Sequence, residues 1–436
     1  MVELPLHYGQ CDGFVRKGRV TAVSASSITV RMTNLSPASL VSLDRNDGTI
    51  AHAQVRWADQ NSAQCTPVDG SRGVLVGAPA IAAQTELGAY VGPALLGAAV
   101  DAWGRGDRAH RGGLVARHRE LSLNERRPIT NSIATGIAAI DGFCSVGAGQ
   151  RIALFAGAGV GKSTLLREVM RHASCDAHVL AMVGERAREA SETIAALQNG
   201  ERWTSTTVVC ATAGAPPMER LAAVRTAQAQ AEWLCSQGCH VLLTVDSLTR
   251  VAAAWREIAL AAGEAPAHRG HPASMVSMLA SVVENAGARD CGSITGIYSV
   301  LIDGDDPYEP VTDALRGLLD GHIMLSRRLA DAGRFPAIDV LRSSSRLMHV
   351  LSSPQHAQDA NLLRRALATL EDNGDLLALG AYRRGGDPWL DAVLDVREVL
   401  ETLLYHGSAM QPAAAEEMAR IARKLRSAHG RGTAGA

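Results

Sequence analysis

The sequence predicts an α/β fold: a mostly parallel sheet flanked by helices around a phosphate-binding loop, preceded by a small β-barrel and followed by a helical domain. Three observations carry this. The stretch Arg151-Ile-Ala-Leu-Phe-Ala-Gly-Ala-Gly-Val-Gly-Lys-Ser-Thr164 runs an apolar strand into a Gly-rich loop closed by Gly161-Lys162-Ser163. Around that loop, apolar strand-like runs alternate with amphipathic helical segments, the pattern of a parallel sheet buried on both faces. Short β-branched runs come before this region, and only helical periodicity comes after it.

Residues 1–90 are expected to form the barrel. Runs at 19–23, 27–31 and 73–77 are cut by Asn, Asp, Gly and Ser at the spacing of a small all-β unit. Between Val15 and Leu87 Trp57 is the single aromatic and no basic, aromatic-studded strand occurs, so an oligonucleotide-binding barrel is not supported. Residues 91–127 contain Leu95-Leu-Gly97 and Gly104-Arg-Gly106, show no periodicity and are expected to be a linker. In the core, 128–352, strands are expected at 152–155, 179–183, 207–211, 241–245 and 294–301. The helix between the third and fourth is marked by Pro216-Pro217 at its start and Gly238 beyond its end. Leu221, Val224, Gln228, Ala231 and Leu234 share its face. Residues 353–436 are expected to be helical, because Leu362, Leu363, Ala366 and Leu370 are spaced for one buried face.

A chain of 436 residues, 47% hydrophobic and 20% charged, is expected to fold as two or three domains with a large core. A formal net charge of −1 supplies no global field for nucleic acid or an anionic membrane. Locally, Arg420, Arg423, Lys424, Arg426 and Arg431 stand in a C-terminal stretch with no acid after Glu417. A solvated helix end and a contact with anionic lipid or an acidic partner are both open there. The cysteines, at 11, 65, 144, 175, 210, 235, 239 and 291, lack a repeated metal-ligand spacing, so reduced thiols in the cytoplasm are expected. The first thirty residues hold no basic-then-apolar pattern and no run of about 18 apolar residues occurs, so any membrane association would be peripheral.

The loop has a direct chemistry. Gly157, Gly159 and Gly161 let backbone N–H groups turn inward on phosphates, with Ala158 and Val160 completing the cradle and the helix from Lys162 through Thr164 adding its positive end. Lys162 would reach the β- and γ-phosphates and Ser163 would ligate Mg²⁺. Ala156 replaces the usual first glycine where the strand ends, a place where Ala is tolerated. With only three lysines in the chain (Lys17, Lys162 and Lys424), a compact ammonium inside the loop suits a tight phosphate site.

Val241-Leu-Leu-Thr-Val-Asp246 puts a carboxylate at the C-terminal end of a buried strand, where an open α/β sheet binds its ligand. Asp246 there serves the Mg²⁺ shell or caps the next helix. Gly184-Glu185-Arg186 ends another such strand. Glu185 can orient or deprotonate an attacking water and Arg186 can sit near the γ-phosphate, but a Glu starting a helix also gains ~0.3–1 kcal/mol from the dipole. The residues alone leave both readings standing.

Further ordered runs decide between them. They are Thr135-Gly-Ile-Ala-Ala-Ile-Asp-Gly142, Gly149-Gln-Arg151, Asp246-Ser-Leu-Thr-Arg250, Leu260-Ala-Ala-Gly-Glu264, Leu319-Asp-Gly-His-Ile323, Leu325-Ser-Arg-Arg328 and Phe335-Pro-Ala-Ile-Asp339 continuing to Ser345-Arg346. With these, 128–348 resembles the RecA-like P-loop core of the rotary ATP synthase catalytic subunit, and most closely the type III secretion export ATPases of flagella and injectisomes. Val91-Gly-Pro-Ala-Leu-Leu-Gly97 matches more weakly.

The resemblance implies roles. Glu185 matches the general base, Arg186 and Arg250 the γ-phosphate arginines, Phe335 the aromatic beside adenine, and Arg346 a finger reaching the neighbouring subunit's site. It implies an ATP hydrolase with ATP and Mg²⁺, working as a homohexamer that couples hydrolysis to chaperone release, unfolding and export of secreted proteins. Central- and peripheral-stalk proteins, chaperone–cargo complexes and the export gate are the implied partners, with no nucleic acid. The implied place is cytoplasmic, at the inner-membrane face.

Locally, Phe335 as plain core and Arg250 paired with Glu257 are the competing readings. Two runs depart from the family: His271-Pro-Ala-Ser274 and Glu284-Asn-Ala-Gly287 replace Tyr-Pro-Pro-Ser and Glu-Arg-Ala-Gly. Leu379-Gly-Ala-Tyr-Arg-Arg384 stands where the rotary synthase subunit has an acidic loop, which favours the secretion branch. A non-catalytic ring subunit would lack Glu185, and a Rho-like RNA translocase is disfavoured by the neutral, aromatic-poor N-terminal region.

Overall fold

The computed structural model describes residues 6–8, 16–83, 85–106, 114–116, 121–302, 309–405 and 414–433. Cys11, residues 107–113 and 117–120 of the expected linker, and the side chain of Arg431 lie outside the described residues.

Six strands form the barrel: β1 (Lys17–Val23), β2 (Ile28–Arg31), β3 (Leu40–Asp44), β4 (Ile50–Ala58), β5 (Ser62–Pro67) and β6 (Pro79–Ala83). They close antiparallel in the order β1-β2-β5-β4-β3-β6, and period-two alternation turns Val20, Ile28, Val30, Val41, Leu43 and Val55 inward. The expected strand at 73–77 is not formed. Only Val74 makes an isolated bridge, to Arg45, while Gly73 and Gly77 have φ of 81° and 89°. Left-handed glycines at both ends make this apolar triplet a loop tip, with Leu75 and Val76 exposed.

The segment expected as a linker does more than connect. Within it, β7 (Ala98–Val100) joins the central sheet, and Leu95, Val100, Ala102 and Trp103 are buried in the core. Three residues are too few for periodicity to be seen in a sequence.

The central sheet continues through β8 (Arg151–Ala156), β9 (Ala177–Glu185), β10 (Thr206–Thr212), β11 (His240–Asp246), β12 (Ser293–Leu301), β13 (Gly321–Met324) and β14 (Ser344–Ser345). Its order is β7-β10-β9-β11-β12-β8-β13-β14, with every neighbouring pair parallel except β13 and β14. All five expected core strands are present. Alternate residues serve opposite faces: Ala153, Phe155, Val179, Ala181 and Leu243 enter one apolar cluster, and Ile152, Leu154, Leu180, Met182 and Leu242 the other.

The first face is covered by α3 (Pro217–Ser236), α4 (Leu248–Ala261), α5 (Met275–Val283) and α6 (Pro310–Leu318). Its α3 is the helix expected from Pro216-Pro217, with Pro217 in the first turn, where a missing N–H costs nothing. The second face is covered by α1 (Lys162–His172) and by the C-terminal helices α7 (Pro354–Asp372), α8 (Pro388–Leu404) and α9 (Ala414–Thr433). A further helix, α2 (Ala187–Gln198), follows β9. On α9, Arg426 forms an ion pair with the buried Asp359 of α7 and Arg420 pairs with Glu417, so part of the basic stretch is bonded into the fold. Among the described residues, no helix is long and apolar enough to cross a membrane.

His178, near the start of β9, is fully buried with Cys175 Sγ 3.3 Å from its Nε2. Burial first, and the nearby Arg202 second, push its pKa down to about 4 from 6.5. The folded protein therefore keeps it neutral while the unfolded chain takes up a proton. Its contribution is complete above pH 6.5 and is lost as pH falls towards 4, about 3 kcal/mol in all. Urea unfolding across that interval should show this loss, and His178→Gln should show a shallower pH dependence.

Candidate functional site

The loop leaves β8 at Ala156, whose carbonyl accepts from Ile302 N and whose φ is not positive, so its methyl is accommodated. Gly159 and Gly161 have φ of 76° and 94°, and Gly161 directly precedes α1. The open N–H groups of the first turn of α1 thus face the loop's concavity. Arg327 Nη2 donates to Ala158 O at 2.9 Å. A Cβ built on Gly161 would lie 3.6 Å from Phe335 Cε1. Phe335 is 43% exposed, so its ring lies at the mouth of the loop and not in the core.

Parallel register gathers the acids at the same edge. Met182 of β9 pairs with Asp246, the last residue of β11, and Glu185 ends β9 three positions on. Lys162 Nζ donates to Asp246 Oδ1 at 2.5 Å, and Ser299 Oγ donates to the same oxygen at 2.6 Å. Lys162 Nζ also lies 3.3 Å from Ser299 Oγ. Both sides of the Lys162–Asp246 pair are buried, so each charge depends on the other. Because Asp246 is engaged here, it does not cap α4; Ser247 is the residue preceding that helix.

Glu185 is buried and forms an ion pair with Arg250. Gly184 makes this approach possible: it has φ of 68°, and a Cβ there would come within 2.9 Å of Arg250 Cδ. Arg250 is therefore not the partner of Glu257, which pairs with Arg220. Nor is Glu185 the helix-starting acid. That place belongs to Glu189, in the first turn of α2.

A cavity of about 200 Å³ is lined by Ser163, Glu185 and Asp246 together with Arg167, Glu189 and Glu192. A hydroxyl and a carboxylate aimed at one space are a hard, all-oxygen donor set that suits Mg²⁺. Among the described residues no group of three or more His, Cys, Asp or Glu could cage a metal, so further oxygens must come from a ligand and water.

Two expected residues lie elsewhere. The Arg186 side chain is 80% exposed and pairs at 3.1 Å with Glu189, which lines the cavity, but Arg186 itself is not among the lining residues. Arg346 is exposed, its Nη2 donating to Arg316 O at 3.1 Å and its backbone N to Asp320 O. Asp320 N in turn donates to Arg151 O, at the start of β8, so Arg346 stands about 20 Å along the strand from the loop. Ser299 and Arg327 were not legible as site residues. The only signal for Ser299 was a hydroxyl near the C-terminal end of a mostly apolar strand.

Residues 136–345 match the ATP synthase alpha/beta family nucleotide-binding domain, and residues 352–423 match the T3SS EscN ATPase C-terminal domain. The chain is 39% identical over 398 residues to the flagellum-specific ATP synthase of Treponema pallidum (strain Nichols), covering 90% of this chain and 89% of that one. It is 38% identical over 408 residues to the SPI-2 type 3 secretion system ATPase of Salmonella typhimurium, covering 93% and 94%. The fold is similar to the assembled ATPase EscN from the enteropathogenic E. coli type III secretion system, with a TM-score of 0.87 and 33% identity over 93% of this chain and 100% of that one. In complex with its central stalk EscO, the same ATPase matches with a TM-score of 0.82 and 32% identity, over 94% and 99%.

The geometry of the loop sets the first expectation for the site. Lys162→Ala should weaken binding of a fluorescent ATP analogue by about 10- to 100-fold, the loss of a charge-assisted contact, and abolish turnover. Equilibrium titration measures the first and phosphate release the second. Wild-type affinity in that variant would rule out the loop as the phosphate cradle.

Proposed function

The chain belongs to the ATP synthase alpha/beta family, in its branch of flagellum-specific and type 3 secretion system ATPases, and on that premise we propose how its residues hydrolyse ATP for protein export. It is an ATPase of a type III export apparatus. The loop from Gly157 to Thr164 and the N-terminus of α1 receive the triphosphate, and Lys162 turns from Asp246 to the β- and γ-phosphates. Ser163 and Asp246 hold Mg²⁺, which when bound supplies positive charge against the phosphate oxygens. Phe335, at the mouth, receives the adenine ring.

Glu185 orients and deprotonates the attacking water. The observation that carries this reading is its place: a buried carboxylate lining the same cavity as Ser163 and Asp246. Arg250 holds that carboxylate in position and offers its guanidinium to the γ-phosphate when the site fills. Arg186 reaches the phosphate only by leaving Glu189. A non-catalytic ring subunit would have no use for a buried Glu185 in this cavity.

Arg346 cannot serve its own nucleotide, since it lies at the opposite end of β8 from the loop. It acts in trans, reaching the γ-phosphate held by a neighbouring copy. A finger on one end of the sheet and a cradle on the other make a heterologous contact, which closes into a ring, here a homohexamer. The exposed Leu379 and the turn through Arg384 offer the helical domain's tip to a central stalk; the similar ATPase EscN forms a complex with its central stalk EscO. Hydrolysis around the ring then drives chaperone release and unfolding of cargo delivered to the export gate. The ring works in the cytoplasm at the inner-membrane face, with a peripheral stalk and the exposed Arg423 and Lys424 of α9 available for membrane-side contacts.

Glu185→Ala and Arg346→Ala proteins should each be inactive. Mixed and allowed to co-assemble, they should regain part of the ATPase activity, because some interfaces then join an intact base to an intact finger. No recovery in mixtures shown to co-assemble would refute the shared site.

A further inference from the structure

We propose that Ser299 is a positioning residue: its hydroxyl holds the Asp246 carboxylate in place for the metal once Lys162 has turned to the phosphates. This rests on the reading of the cavity as a Mg²⁺–ATP site. Ser299 lies on β12, between β11, which ends in Asp246, and β8, which leads into the loop, and it pairs in register with Leu154. It is fully buried. Its Oγ is 2.6 Å from Asp246 Oδ1 and 3.3 Å from Lys162 Nζ, so one hydroxyl touches both members of the charged pair.

Both donors to Asp246 fall on Oδ1. Lys162 has a single ammonium on a flexible stem, whereas Ser299 is fixed on a central strand of the sheet. When Lys162 engages phosphate, the buried carboxylate loses its charged donor, and an unsatisfied buried oxygen is costly. Ser299 is the donor that remains. By keeping Oδ1 occupied it fixes the plane of the carboxylate and leaves Oδ2 for the cavity. A serine that merely filled space in the strand would have no reason to bond this oxygen rather than a neighbouring carbonyl.

The test uses the full chain with Ser299→Ala, Ser299→Cys and Ser299→Thr. Binding of a fluorescent ATP analogue is titrated with Mg²⁺, and separately in EDTA. The Mg²⁺ concentration for half-maximal binding should rise about 5- to 30-fold in the Ala and Cys variants and stay within about twofold of wild type in Thr. Metal-free binding should stay within about twofold in all three, a split that a general packing defect would not produce. Cys is nearly isosteric with Ser, so it carries the comparison should the Ala variant fail to fold. An unchanged Mg²⁺ requirement in Ala and Cys, equal losses with and without metal, or a Thr variant as impaired as Ala would each overturn the proposal. Absence of Mg²⁺-dependent binding in the wild type would instead overturn the parent reading of the site.

Discussion

A parallel sheet puts the carboxyl ends of its strands along one edge, and the chemistry of this protein depends on that constraint. β8 delivers the loop there, β11 delivers Asp246, β9 delivers Glu185 and β12 delivers Ser299. Arg346 follows the edge strand β14, which runs antiparallel to β13, and so emerges at the other end. The directions of the strands thus divide the charged groups between two edges. One copy carries the loop with the buried Glu185 at one edge and, remote from it, the exposed Arg346 at the other.

Within the cradle, the charges are not waiting in water. Lys162 pairs with Asp246 and Arg250 with Glu185; both carboxylates are buried, and removing the cation strands a buried carboxylate at a cost of up to about 3–5 kcal/mol. In the proposed site a triphosphate would exchange partners with Lys162 and Arg250, replacing one satisfied arrangement by another. The same apolar cluster that seats α1 behind the loop also holds α7, α8 and α9: Leu165, Val169 and Met170 share it with Leu363, Val393, Leu400 and Met418. Close-packed interiors transmit displacement poorly absorbed by voids. α1 and the helical domain, which also carries the exposed Leu379, thus share one packed core.

Much of this architecture was legible in the sequence, and the exceptions have physical causes. The five core strands read clearly because burial on both faces makes continuous apolar runs. The 73–77 run has the apolar content of a strand, but Gly73 and Gly77 at its ends take left-handed backbone that composition does not display. β7 was hidden by its brevity. The loop could be read from its own residues and Asp246 from its place after a strand, whereas for Glu185 position left a base and a helix-starting acid both open, and the family resemblance decided between them. The pairing of Glu185 with Arg250, the approach allowed by Gly184 and the bond from Ser299 to Asp246 are contacts between distant segments, and no local spacing encodes them. Arg186 shows the converse: adjacency to Glu185 in the chain does not bring its side chain into the cavity, since it stays in solvent and pairs with Glu189 at the cavity's rim.

The central claim is that nucleotide is clamped at a seam between two copies. Cryo-electron microscopy of the assembled ring with a non-hydrolysable ATP analogue measures it directly. The Arg346 guanidinium should lie within hydrogen-bonding distance of the γ-phosphate seated on the adjacent copy's Lys162. A nucleotide enclosed by one chain alone, with every Arg346 turned away from the neighbouring phosphates, would contradict it.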